Sequence, residues 1–167
     1  MRSQLVLVGN PNAGKSSLFN LLTGLRQSVG NFPGVTVERR SGSVELADGS
    51  HSLIDLPGVY SLVPQQLTSA DERVTLRYLA RNHDAFVINV VDATTLERHL
   101  YLSMQLRELG VPMLVVLAKA EVDAFPAEYR AEPVMAHLGG ADGLDIVRRI
   151  LAEAGGRDGH IFNLGHG

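Results

Sequence analysis

The chain has 167 residues, 45% of them hydrophobic, with a formal net charge of −3 and mean hydropathy of +0.07. This suits one soluble domain with a proper core, and the lack of cysteine excludes disulfide staples and thiolate metal sites and fits a reducing cytoplasm. No apolar run approaches the roughly 20 residues that span a bilayer, Asn10 and Pro11 cut short any leader-like run, and no basic block offers a nucleic-acid surface.

Gln4 to Val8 is a short apolar run of strand type, and Ser17 to Leu22 opens a helical pattern. Between them, Gly9, Gly14, Lys15 and Ser16 fit G-x-x-x-x-G-K-[ST], a phosphate-binding loop in the required strand–loop–helix context. An ordinary glycine-bearing turn is the alternative, and the complete motif speaks against it. Asn10, Pro11, Asn12, Ala13, Gly14, Lys15, Ser16 and Ser17 are the candidate nucleotide-binding residues of this loop. Its backbone N–H groups and the helix N-terminus favour phosphate. Lys15 would reach the β/γ-phosphates, and the Ser16 hydroxyl would bind Mg²⁺.

The first helix should end at Thr23–Gly24. Residues 25–37 show neither period and read as a mobile loop carrying Thr36. Two strands follow, joined at Asp48–Gly49, and the second ends in Asp55-Leu56-Pro57-Gly58. Ser69 to Glu72 is a capping box for a helix reaching about Arg81. Ala85 to Val91 reads as a strand buried on both faces. Thr94 to Glu97 reads as a second capping box, for a helix with Leu96, Leu100 and Met104 at four-residue spacing. Pro112 to Ala118 is the next buried strand; a weak strand at Glu132–His137 and a helix capped by Asp142 complete the pattern.

This alternation predicts an α/β fold, a mostly parallel sheet with helices on both faces, whose ligand sits at the carboxyl ends of the strands. A phosphate loop alone serves kinases, ATPases and GTPases alike. Asp55, ending an apolar strand, is placed to hold Mg²⁺ through water, and the Gly58 N–H to bond a γ-phosphate oxygen. Thr36 is placed to add a second hydroxyl to Mg²⁺, so that hydrolysis releases both segments. A kinase would want an Arg-bearing lid, and a ribosome-assembly GTPase a basic extension, which this acidic chain lacks.

The segments GNPNAGKSSLFNLLTG, NFPGVTVE, DLPGVYSL and NVVDATTLERHLYL together resemble the G domain of FeoB, the bacterial ferrous-iron transporter. The resemblance covers roughly residues 4–155. It implies a Ras-like P-loop GTPase with a six-stranded sheet and one antiparallel edge hairpin. It further implies Thr36 as the switch I threonine, Asp55 and Gly58 as the switch II pair, and a K⁺ bound beside the phosphates through Asn12. Lys15, Thr36 and Gly58 would carry the hydrolysis of GTP to GDP, and Val59 stands where Ras-like enzymes keep a water-orienting Gln. The expected rate is slow, Mg²⁺-dependent and K⁺-stimulated.

The guanine-reading pattern of this group, Asn-Lys-x-Asp, falls on Ala118, Lys119, Ala120 and Glu121. Lys119 is one of only two lysines, which supports the register. Ala118 cannot make the Asn's hydrogen bonds, Glu121 is one methylene too long, and the usual Ser-Ala loop becomes His137-Leu138. Weakened guanine recognition follows. The alternative function is a nucleotide-binding or assembly module that hydrolyses little and chooses its base loosely. The expected organisation is a G domain over 1–155 and a Gly-rich tail or linker over 156–167, without the family's helical-bundle and membrane domains. Expected partners are a guanine nucleotide and a membrane transport domain, at the cytoplasmic side of the inner membrane, with no nucleic acid; homodimerisation stays open. The scattered histidines offer no iron site.

Overall fold

A computed structural model describes residues 4–24, 26–46 and 49–118, the side chain of Gln66 excepted. Its chain order is β1 (Leu5–Gly9), α1 (Lys15–Thr23), β2 (Gln27–Asn31), β3 (Glu38–Leu46), β4 (Gly49–Asp55), α2 (Ala70–Arg81), β5 (Phe86–Asp92), α3 (Leu96–Glu108) and β6 (Met113–Ala118). The strands form one sheet in the order β2-β3-β4-β1-β5-β6. The β1–β4, β1–β5 and β5–β6 pairs are parallel, and β2–β3 and β3–β4 antiparallel. The α/β class and the mostly parallel sheet with its antiparallel hairpin are as the sequence predicts.

The pleat explains the two cores. Successive side chains of a strand point to opposite faces. Leu5 and Leu7 therefore join Leu18, Phe19 and Leu22 of α1, while Val6 and Val8 join Val74 and Leu79 of α2 and Leu102 and Leu106 of α3. The strand β5, held between β1 and β6, is buried along its whole length, which accounts for its unbroken apolar run.

Three expectations change. The predicted loop over 25–37 contains β2, whose ladder to β3 runs from Gln27↔Gly42 to Asn31↔Glu38. The Phe32 N–H then bonds the Val37 carbonyl at 3.0 Å, which leaves Pro33–Thr36 as a hairpin tip. Phe32 is itself buried, edge-on to the Tyr78 ring of α2 with centroids 5.9 Å apart. Second, Thr94 caps nothing. The Asp92 carboxylate takes both its N–H (2.9 Å) and its hydroxyl (2.6 Å), so a 3₁₀ turn over Ala93–Thr95 precedes α3. Third, β6, expected to be buried, is mostly half-buried, with Leu117 exposed. In α3, Leu96, Leu100 and Met104 face outward, Met104 being 62% exposed; the inner stripe of α3 is His99, Leu102, Ser103, Gln105 and Leu106. Its polar members are satisfied inside, with the Asp92 N–H donating to His99 Nδ1 at 3.1 Å and Leu62 N–H to Gln105 Oε1 at 2.6 Å. The predicted strand at 132–137, the Asp142 helix and the tail lie outside the described residues, as does Asp48. The sixth strand seen is thus β2.

The Ser69 capping box forms as predicted. Ser69 Oγ accepts from the Glu72 N–H (3.1 Å), and Glu72 Oε2 accepts from the Ser69 and Thr68 N–H groups (3.1 and 2.8 Å). Desolvation pushes the Glu72 carboxyl upward, but the backbone and hydroxyl donors of Thr68 and Ser69 outweigh it and hold it below its usual 4.5. Its stabilisation is therefore complete above about that pH and is lost as pH falls through the lower folded value. Glu72→Gln should cost about 1 kcal/mol at neutral pH, roughly 2–4 °C in Tm. Melts at falling pH should show the gap closing; a gap that widens in acid would refute the assignment.

Candidate nucleotide-phosphate site

The phosphate loop is shaped by three backbone features. The Ala13 N–H closes a turn onto the Asn10 carbonyl (3.1 Å), and Asn12 takes a positive φ of 63°, a conformation Asn tolerates better than most residues. Gly14 caps α1 at φ 105°, where a side chain would be strained. The first turn of α1, at Lys15, Ser16 and Ser17, then carries amide donors with no acceptor inside the helix. Asn10 and Ala13 are buried, Pro11 and Gly14 half-buried, and Asn12, Ser16 and Ser17 exposed. Neither amide atom of the Asn10 side chain has a hydrogen-bond partner.

The switch-like turn is stitched to this loop. Leu56 N–H bonds the Leu7 carbonyl and Val59 N–H the Gly9 carbonyl, each at 3.1 Å. Gly58 lies so close to Pro11 that a Cβ there would sit 2.9 Å from the Pro11 Cα, so any side chain would push the turn off the loop. The Thr75 hydroxyl holds the Pro57 carbonyl at 3.3 Å, and Gln105 holds Leu62.

Lys15, Ser16, Asp55 and Gly58 line one cavity of about 290 Å³, together with Val37, Glu38, Arg40, Leu56, Pro57 and Asp71. Lys15 Nζ lies 3.7 Å from Asp55 Oδ1, and an Arg40 guanidinium nitrogen 3.9 Å from Asp55 Oδ2. Burial raises the Asp55 carboxyl above its usual value; the two cations pull it down without overcoming this, and Glu38 adds to the rise. Asp55 Oδ1 is buried without a hydrogen-bond partner.

The oxygen chemistry fits Mg²⁺, which takes one or two protein oxygens and completes its shell with water and phosphate. Asp55 and the Ser16 hydroxyl supply such oxygens. Among the described residues no group of three or more His, Cys, Asp or Glu gathers, so no all-protein cage competes with that arrangement.

Thr36 is exposed at the hairpin tip and is not among the lining residues; its neighbours Val37 and Glu38 are. Asn12 stands exposed on the loop. Ala118 ends β6 beside the phosphate loop, its Cβ 3.2 Å from where a Gly14 Cβ would lie. Lys119, Glu121, His137 and Leu138 lie outside the described residues. Sequence reasoning passed over Arg40 and Asp71. Arg40 pairs with Asp55 across the β3–β4 ladder, so only the register reveals it; Asp71 sits in the first turn of α2.

A family pattern described as ferrous iron transport protein B matches residues 3–132. The Fe(2+) transporter FeoB of Shigella flexneri is 50% identical over 117 residues, which are 70% of this chain and 15% of that protein. The G domain of the T. maritima FeoB iron transporter superposes with a TM-score of 0.75 at 33% identity, covering 91% of this chain and 98% of that one. A GDP-bound variant of the S. thermophilus FeoB G domain gives 0.62 at 51% identity, covering 69% and 43%. Among the described residues no helix is long and apolar enough to cross a membrane.

Proposed function

The chain belongs to the ferrous iron transport protein B family, and from that premise we propose that it is the GTP-binding, slowly GTP-hydrolysing switch domain of a ferrous iron transporter. The observation that carries this reading is the convergence of Lys15, Ser16, Asp55 and Gly58 on one cavity beside a helix N-terminus. Lys15 would neutralise the β/γ-phosphates, and the open amides at Lys15, Ser16 and Ser17 would hold their oxygens. Ser16 and Asp55 would hold Mg²⁺, which when bound offsets charge on the phosphates. The Gly58 N–H would mark the γ-phosphate and carry its presence into the turn held by Thr75 and Gln105. Thr36 would join by movement of the hairpin tip, and Asn12 would hold K⁺. With Val59 buried where a water-orienting Gln stands in Ras-like enzymes, hydrolysis would be slow. The membrane domain that such a switch would serve accords with the curated relatives, of which this chain spans about 15%.

A second reading, a nucleotide-binding assembly module with little turnover, draws on Ala118. A methyl group meets the phosphate loop where the guanine-reading pattern has an amide. Losing such contacts costs about 2 kcal/mol, roughly thirtyfold in affinity. Calorimetric titration with GDP and ADP in Mg²⁺, followed by phosphate release from GTP in K⁺ and in Na⁺, tests both. The expected outcome is GDP preferred over ADP by no more than about a hundredfold, with faster release in K⁺. Nanomolar GDP with no detectable ADP binding would overturn the relaxed base choice; release absent in both salts would favour the module.

A further inference from the structure

Among the described lining residues, Arg40 is the one cation that no nucleotide role claims. It faces Asp55 directly across the β3–β4 ladder, so the two side chains share the α1 face of the sheet. Its guanidinium is anchored from two elements, α1 and β2. One nitrogen donates to Asn20 Oδ1 of α1 (3.0 Å) and to Gln27 Oε1 of β2 (3.2 Å), and the group lies 4.9 Å over the Phe19 ring. A cation so tethered is not free to swing out as a phosphate clamp. Its other nitrogen lies 3.9 Å from Asp55 Oδ2, while Lys15 flanks Oδ1. Both oxygens of the carboxylate therefore already face positive charge.

We propose that Arg40 is the counter-cation of the Mg²⁺ position: it holds the Asp55 carboxylate when no divalent ion is bound, opposes the ion's arrival, and so sets the Mg²⁺ concentration that nucleotide binding requires. The inference rests on the Mg²⁺–nucleotide reading above. Its physics is elementary. A divalent cation entering beside a fixed guanidinium meets like charge, and it must share a carboxylate that the guanidinium already neutralises. Removing that charge leaves Asp55 to Lys15 and the incoming ion.

The test is a titration of MgCl₂ against the protein with a fixed, subsaturating concentration of fluorescent GDP, read as binding without turnover. Arg40→Met should lower the Mg²⁺ midpoint by about three- to tenfold, and the shift should largely persist in added salt, because Asp55 is buried and such pairs are screened far less than exposed ones. Arg40→Gln, whose amide can still bond Asn20 and Gln27, should shift it in the same direction and carries the test if the Met variant fails to fold. Arg40→Lys, which keeps the charge, should stay near wild type. Unchanged or raised midpoints in both neutral variants overturn the proposal, as does GDP affinity lost at saturating Mg²⁺, which would make Arg40 a phosphate ligand. If the wild type binds no GDP with Mg²⁺ at all, the nucleotide reading falls and this inference with it; wild-type binding with unshifted variants removes only the role of Arg40.

Discussion

Lys15→Ala should abolish measurable nucleotide binding at micromolar concentrations, a loss of at least about a hundredfold, and with it any GTP turnover. Among the described lining residues nothing else can replace that ammonium: Arg40 is tethered to Asn20 and Gln27, and the three acids, Glu38, Asp55 and Asp71, repel phosphate. The same substitution touches stability. Lys15 is only 10% exposed and is the nearer of the two cations to Asp55. Its loss leaves a buried carboxylate with one cationic partner, Arg40 at 3.9 Å, a change that should cost about 1–3 kcal/mol, roughly 3–10 °C in Tm. The pH dependence gives the cause away. Burial already raises the Asp55 carboxyl, so its ionised form weighs against the fold above the folded value, and protonation relieves that cost as pH falls. The thermal deficit of Lys15→Ala should therefore shrink on acidification. Calorimetric binding and melts at two pH values check both halves, and unchanged GDP affinity would remove the loop from the nucleotide site.

Ala118→Asn should tighten GDP and ADP together, by about tenfold, whereas adding Glu121→Asp should widen the GDP/ADP ratio by a further ten- to hundredfold. The two substitutions separate two jobs. Ala118 meets the phosphate loop at Gly14, so an amide there would brace the loop whatever the base. The carboxylate would read the guanine edge, and its length matters because bidentate geometry tolerates little slack. Competition titrations with both nucleotides decide. If neither variant moves either affinity, base recognition is carried elsewhere in the chain.

The features legible in the sequence are those whose chemistry is contiguous. The phosphate loop had to be one strand–loop–helix stretch, and the Ser69–Glu72 box closes within four residues, so a linear reading finds both. Thr94 misled because its N–H goes not to Glu97, as a capping box would have it, but to Asp92, already placed by the end of β5. The strand β2 was invisible because every residue from Gln27 to Asn31 is exposed, and a strand with no buried face shows no alternation. In α3 the apolar four-residue stripe is the outer one, and the inner stripe hides behind polar letters: Ser103 and His99 are at home in the core only because Asn89 and the Asp92 amide meet them there. Arg40 needed the register of two strands, fifteen positions apart at the contact, before it stood beside Asp55.

The hairpin ending in Phe32 changes what closing over a nucleotide would cost. A disordered segment over 25–37 would have to be frozen residue by residue, at about 1–2 kcal/mol each. Here the strands on either side of Pro33–Thr36 are already paired and Phe32 is wedged against Tyr78. Only four residues remain to be re-aimed, a hinged fingertip rather than an unravelled sleeve. The entropic charge on engaging Thr36 is then at most about 4–8 kcal/mol, small enough for one γ-phosphate and its metal to tip.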